Sequence, residues 1–133
     1  MTKPRIVIAG SSGTGLSLAL ACARAGLSAA ICEPDAAALD RAQHFARRDD
    51  AAMADRLNFV ADFSPAHQTD IVFDAFSGND RADNIAMLRP VLRSGVIVAT
   101  PGGDADWSRV PVASHLVRCL PFQPMHLRPL IEV

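Results

Sequence analysis

One six-residue stretch, Gly10-Ser11-Ser12-Gly13-Thr14-Gly15, constrains this chain more than any other. It follows a short β-branched run, Arg5 to Ala9, and precedes small and aliphatic residues from Leu16 to Ala25. A glycine-rich turn between an apolar strand and a helix lets backbone N–H groups approach an anion closely, and the helix N-terminus adds a partial positive charge. Gly26 then ends the helix as a left-handed cap does, and Ser28 to Cys32 is a second apolar run closed by Glu33-Pro34. The opening segment reads as a βαβ unit.

The pattern continues along the chain. Asp35 is placed to N-cap a helix running to about Arg48, with Ala38, Leu39, Ala42, Phe45 and Ala46 as its apolar stripe. Its outer face carries Asp40, Arg41, Arg47 and Arg48. Leu57 to Val60 and Ile71 to Phe73 read as buried strands, Asn84 to Leu92 as a helix stopped by Ser94-Gly95, and Val96 to Ala99 as a strand. In the proline-richer remainder, Ser114 to Leu120 and Leu130 to Val133 each look like one more strand. Short strands alternating with helices imply an α/β fold, a doubly wound and mostly parallel sheet of the dinucleotide-binding (Rossmann) kind with right-handed crossovers. The terminal strand is free to run antiparallel at an edge. With 133 residues and no repeat, linker or low-complexity tract, a single dinucleotide-binding domain over 1–133 is expected.

Composition narrows the function classes. Hydrophobic residues make up 50% and charged residues 20% of the chain, and a formal net charge of −1 offers no field to attract nucleic acid or an anionic membrane. The apolar stretch at Leu16 to Ala25 is interrupted by Arg24 and falls short of the ~20 apolar residues that span a bilayer. Met1-Thr2-Lys3-Pro4-Arg5 shows no signal-peptide plan, so a cytoplasmic protein engaging neither nucleic acid nor membrane is expected. Cys22, Cys32 and Cys119 are widely spaced in apolar surroundings and read as buried free thiols. No CxxC or HxxxH spacing occurs, and His44, His67, His115 and His126 are scattered, so no metal site is expected. Trp107, in a Gly/Asp-rich loop, reads as a plug at the edge of the core rather than a ligand platform.

In the Gly-x-Gly-x-x-Gly register, Gly10, Ser12 and Gly15 take the glycine positions. The middle one, where a bare backbone admits a pyrophosphate, therefore carries a side chain, unless the turn re-forms by one residue and Gly13 compensates. Glu33 ends the second strand, where a carboxylate accepts the hydroxyls of an adenosine ribose and repels a 2′-phosphate, favouring NAD over NADP. The plainer alternative is a solvated strand end. The candidate cofactor site is then Gly10, Ser11, Ser12, Gly13, Thr14 and Gly15 for the pyrophosphate and Glu33 for the ribose, with Ala75, Phe76, Ser77 and Gly78 lining the nicotinamide side.

Several stretches match a known family in order: the turn followed by Ala23-Arg24-Ala25-Gly26, then Glu33-Pro34-Asp35, Leu57-Asn58-Phe59-Val60-Ala61-Asp62 and Asp70-Ile71-Val72-Phe73-Asp74-Ala75. The most specific is the closing Pro121-Phe122-Gln123-Pro124-Met125-His126-Leu127-Arg128-Pro129-Leu130-Ile131-Glu132-Val133, which looks like a His-Phe-Phe-Asn-Pro segment running into Leu-Val-Glu-Val. Over nearly its whole length the sequence resembles the NAD-binding domain of the 3-hydroxyacyl-CoA dehydrogenase family. The resemblance implies NAD as cofactor, an acyl-CoA substrate in fatty acid metabolism, and a histidine general base oriented by a glutamate.

Glu132 stands where the family's glutamate stands, as the catalytic candidate, but the histidine position falls on Leu120, which cannot accept a proton. The family's Asn-Thr-Ser-Ser is replaced by Pro101-Gly102-Gly103-Asp104, and its Pro-Glu after the fourth strand by Ser77-Gly78. The family's helical C-terminal domain, which completes the acyl-CoA site and dimerises, has no counterpart in the sequence. A stand-alone relative is favoured over an excised piece, since truncation does not change residues within the retained part. Three readings stand open: an NAD(H)-binding domain without the dehydrogenation, an active dehydrogenase needing a partner chain that supplies the missing domain, and a non-binding interaction module. A homodimer is expected under each, because Phe122, Met125, Leu127 and Leu130 would otherwise form an exposed patch.

Overall fold

The computed structural model describes residues 5–101, 107, 115–121 and 131–132. Strands β1 (Arg5–Ala9), β2 (Ser28–Cys32), β3 (Asn58–Val60), β4 (Ile71–Asp74), β5 (Ile97–Thr100) and β6 (His115–Arg118) form one sheet in the order β3-β2-β1-β4-β5-β6. Every pairing in it is parallel. Helices α1 (Gly13–Arg24), α2 (Ala36–Ala54) and α3 (Arg81–Leu88) supply crossovers. The chain steps outward from β1 to β3 and then returns to lay β4 on the other side of β1. At that reversal the loops leaving β1 and β4 part, and a crevice opens at the C-terminal ends of the strands.

Strands β1, β2 and β5 are mostly apolar and are buried without alternation after their first residue, because both faces of the sheet are covered there. In β1, Ile6 and Ile8 join the core cluster that includes Leu16, Leu20 and Ile31, while Val7 and Ala9 join the one that includes Val72, Ile85, Leu88, Val98 and Trp107. Successive side chains of one strand thus serve opposite layers. Ile8, Leu20 and Ile31 have no exposed surface, and each such side chain contributes roughly 1.5–3 kcal/mol by its removal from water.

Several boundaries differ from the sequence reading, each for a local reason. Helix α1 starts at Gly13 rather than Leu16, because Ser12 caps it and its Oγ accepts from the Gly15 N–H at 3.2 Å. Helix α2 does not stop near Arg48. It passes a non-helical Asp50 (φ −156, ψ 88) and continues to Ala54, since Asp50 Oδ1 accepts from Met53 N–H at 3.2 Å and starts a fresh last turn while Arg24 holds Oδ2 at 2.8 Å. Phe45 was expected on the buried stripe, yet it is 55% exposed. Ala42, Ala46 and Ala54 are the buried residues of α2, so the helix packs through its alanines. Helix α3 begins at Arg81, three residues before the expected Asn84, and gives way to a 3-10 turn over Arg89–Val91, where Pro90 has no N–H to continue the ladder.

The run from Ser114 to Leu120 divides. His115–Arg118 forms the parallel edge strand β6, and β7 (Leu120–Pro121) leaves the sheet to pair antiparallel with β8 (Ile131–Glu132). The terminal strand is therefore antiparallel, but in a separate two-stranded ribbon and not at the edge of the main sheet. Among the described residues no helix is long and apolar enough to cross a membrane.

Candidate functional site

The crevice at the sheet's reversal has a volume of about 630 Å³ and is lined by Gly10, Ser11, Ser12, Gly13, Glu33, Ala75, Phe76 and Ser77, together with residues of α2 and α3. Its floor is fixed by backbone. Gly10 has φ +104, and a Cβ there would lie 2.6 Å from the Ala75 carbonyl oxygen, so only glycine fits. A Cβ on Gly15 would lie 2.6 Å from the Ala75 side chain and 3.0 Å from Gly10 O. Gly10 and Gly15 therefore act as the turn-forming and close-packing glycines, with Ser12 between them as N-cap at an unstrained φ of −59. The turn keeps the Gly10, Ser12, Gly15 register and does not re-form around Gly13, where an added Cβ would meet nothing within 4 Å.

Gly13 lines the crevice at the N-terminus of α1, while Thr14, Gly15 and Gly78 are not among its lining residues. The Ser12 side chain takes the Gly15 amide, and the Gly13 and Thr14 amides before it have no intrahelical acceptor. Glu33 closes the turn against β2. Its backbone N–H donates to Val60 O at 2.9 Å, and its Oε1 accepts from both the Ser11 N–H (3.2 Å) and the Ser11 hydroxyl (2.7 Å). Oε2 accepts from Asp35 N–H at 3.2 Å. Glu33 is thus a hydrogen-bonded part of the crevice wall.

The α2 and α3 walls contribute groups that the sequence reading left aside. Asp35, Arg41 and Phe45 face the crevice from the α2 side, and Asp80, Asp83 and Asn84 from α3. Arg41 lies one helical turn before Phe45 on the same exposed face, a spacing that signals a shared surface. Among the described residues that line the crevice there is no histidine.

A second constellation lies beside the Ala75–Ser77 wall. The Asp74 side chain is wholly buried at the end of β4 and is paired with Arg81. It also accepts from Thr100 Oγ1 at 2.8 Å, Trp107 Nε1 at 3.0 Å and Phe76 N–H at 3.2 Å. Trp107 has no exposed surface, so it is the core plug the sequence suggested, with its indole N–H satisfied by a carboxylate. The available signal was an acid closing an otherwise apolar strand, followed by an arginine.

Cys22, Cys32 and Cys119 are free thiols, all buried. Burial pushes Cys22 up to about 11, and burial together with the nearby Asp62 charge pushes Cys32 up to about 12. Glu132 stands in the β7–β8 ribbon, where the backbone register sets it opposite Leu120.

No protein-family model matches the chain, and no curated protein matches it. Solved structures do. The (S)-3-hydroxybutyryl-CoA dehydrogenase PaaH1 from Ralstonia eutropha superposes with a TM-score of 0.81 at 19% identity, over 98% of this chain and 53% of that one. The chain shares their fold. M. tuberculosis FadB2 gives 0.75 at 20% identity over 98% and 53%, and an NAD+-dependent dismutase, a 5-dehydrogenase of a pyridine carboxylic acid, gives 0.80 at 20% over 98% and 48%. This chain spans about half the length of these enzymes. They include a 3-hydroxybutyryl-CoA dehydrogenase, an enzyme of the kind the sequence resembles, and the likeness shows a Rossmann-type α/β fold.

Proposed function

We infer that this chain is an NAD(H)-binding domain that does not by itself dehydrogenate a hydroxyacyl-CoA. The observation that carries the reading is the crevice at the sheet reversal, where the Gly10–Gly13 turn and the Glu33 carboxylate face one another. The residues present fit the cofactor: a backbone that only glycine can adopt at Gly10, free space at Gly13 beside a helix N-terminus, and an acceptor-only carboxylate at the end of β2. The amides at the start of α1 would hold the pyrophosphate, and Glu33 the adenosine ribose. Ala75, Phe76, Ser77 and Gly78 are assigned to the nicotinamide side. When bound, NAD supplies a hydride acceptor, and a general base must take the accompanying proton.

That base is the weak point. Leu120 occupies the position at which the family resemblance places a histidine, and Leu120 is the register partner of Glu132, the residue at the glutamate position. An apolar side chain there leaves the carboxylate without an imidazole to orient. Loss of a general base alone forfeits about 10²–10⁴ in rate.

Thermal unfolding with excess NAD or NADH tests the binding. A ligand at about 100 times its Kd stabilises the fold by roughly 2.7 kcal/mol, so a clear rise in midpoint is expected. No shift with either form at millimolar concentration overturns the reading and leaves a non-binding interaction module. A second reading, a dehydrogenase completed by a partner chain, draws on the fold shared with a 3-hydroxybutyryl-CoA dehydrogenase. Hydride transfer appearing only when the partner is added would establish it. We also propose that the partner in the simplest case is a second copy, covering Phe122, Met125, Leu127 and Leu130, which lie outside the described residues. A monomer by light scattering at micromolar concentration would count against it.

A further inference from the structure

The Glu33 carboxylate is already occupied by its own chain. A carboxylate offers about four acceptor positions, two on each oxygen. The Ser11 N–H (3.2 Å) and the Ser11 hydroxyl (2.7 Å) take both positions on Oε1, and Asp35 N–H (3.2 Å) takes one on Oε2. A ribose presents two vicinal hydroxyls, and only one position is left to receive them. Of the three internal donors, two are backbone amides fixed by the turn and by the start of α2. The third, the Ser11 hydroxyl, sits on a side chain with a single rotatable bond and is the one that can leave.

We propose that the Ser11 hydroxyl stands in for a ribose hydroxyl on Glu33 and competes with the ligand, which makes Ser11 the residue that sets the affinity of the crevice for ribonucleotides. This rests on the reading of the crevice as a nucleotide site. The contact has a structural side as well. Through Oε1 the glycine turn is tied to the end of β2 by two bonds, and the amide bond survives when the hydroxyl is removed. Ser11→Ala therefore frees one acceptor position while leaving the turn anchored, whereas a change at Glu33 would remove anchor and ribose partner together. A ligand entering the wild-type site must exchange the short serine bond for its own, and gains little net from doing so.

The test is calorimetric titration of wild type and Ser11→Ala with NAD, ADP and 2′,3′-dideoxy-ADP, which keeps the base and the diphosphate but has no ribose hydroxyls. The expected result is that Ser11→Ala binds NAD and ADP about threefold to tenfold tighter, the range that one net hydrogen bond produces, with no gain for the dideoxy analogue. Equal or weaker binding of ADP by the variant, with wild type binding normally, overturns the competition and assigns the hydroxyl to ribose recognition. A gain of the same size for dideoxy-ADP also overturns it, since the effect would then lie in the turn. If neither protein binds any of the three, the nucleotide reading falls with it.

Discussion

Gly10, Gly13 and Gly15 stand within a single turn, yet a methyl group added at each meets a different neighbourhood. At Gly10 it would strike the Ala75 carbonyl at 2.6 Å from a backbone with φ +104, and at Gly15 it would press on the Ala75 side chain at 2.6 Å. At Gly13 it meets nothing within 4 Å. Gly10→Ala and Gly15→Ala are each expected to cost about 1–3 kcal/mol, while Gly13→Ala, in the first turn of a helix, is expected to be neutral or stabilising by up to about 1 kcal/mol. Urea midpoints of the three variants check the order, and a destabilised Gly13→Ala would refute it. Asp70 offers a pH test. It accepts from the Arg5 N–H at 2.8 Å and from Arg93 at 2.7 Å, and the Arg5 hydrogen bond, followed by the Arg5 and Arg93 charges, holds its carboxyl below the usual 3.8. A group whose folded pKa is depressed contributes stability above its unfolded value, and that contribution is lost as pH falls through the folded pKa. Asp70→Asn should therefore flatten the acid limb of the stability curve below about pH 4 and lose stability at pH 7. The glycines were legible in the sequence because their constraint is local, whereas the role of Asp74 was not, since its side-chain partners lie 7, 26 and 33 positions away.

Strands β1, β2 and β4 are continuous apolar runs, and the sequence placed each of them to within a residue. Helix ends were harder to read wherever a side chain outside the helix decides them. Nothing in the local pattern around Asp50 says that Arg24, 26 positions earlier, will hold its carboxylate and let α2 restart. The division of the run around Cys119 was equally hidden, because β6 and β7 are adjacent in sequence and separate only when β8 arrives to pair with β7. The cluster around Asp74 binds elements together: β4 through Asp74 itself, β5 through Thr100, α3 through Arg81 and the later chain through Trp107. Asp74→Ala removes the buried carboxylate that Arg81, Thr100 and Trp107 share, and is expected to cost about 3–5 kcal/mol. Trp107→Phe removes one donor of several and should cost about 1–3 kcal/mol. Equal losses for the two substitutions in chemical denaturation would count against Asp74 as the hub.

The formal net charge of −1 conceals an uneven distribution. Glu33, Asp35, Asp80 and Asp83 line the crevice with Arg41, so an anion bound at the start of α1 would meet mostly negative charge. Such repulsion is screened as the Debye length falls from about 10 Å at 0.1 M salt to about 3 Å at 1 M. Affinity for a diphosphate-bearing nucleotide is therefore expected to rise with ionic strength over this range, opposite to the usual behaviour of an anion site, and Asp83→Asn should weaken the dependence. Titrations at the two salt concentrations decide it, with a falling affinity as the contrary result. The acidic rim was not readable from the sequence, because α2 and α3 come together only across the crevice.

Trp107 is the only tryptophan in the chain, and it is wholly buried with its indole N–H bonded to Asp74. The protein consequently carries its own optical probe. Its emission should lie at the short-wavelength end of the indole range and resist acrylamide quenching as long as the Asp74 knot is tied. A red shift would then report the knot loosening, without a dye or an added label.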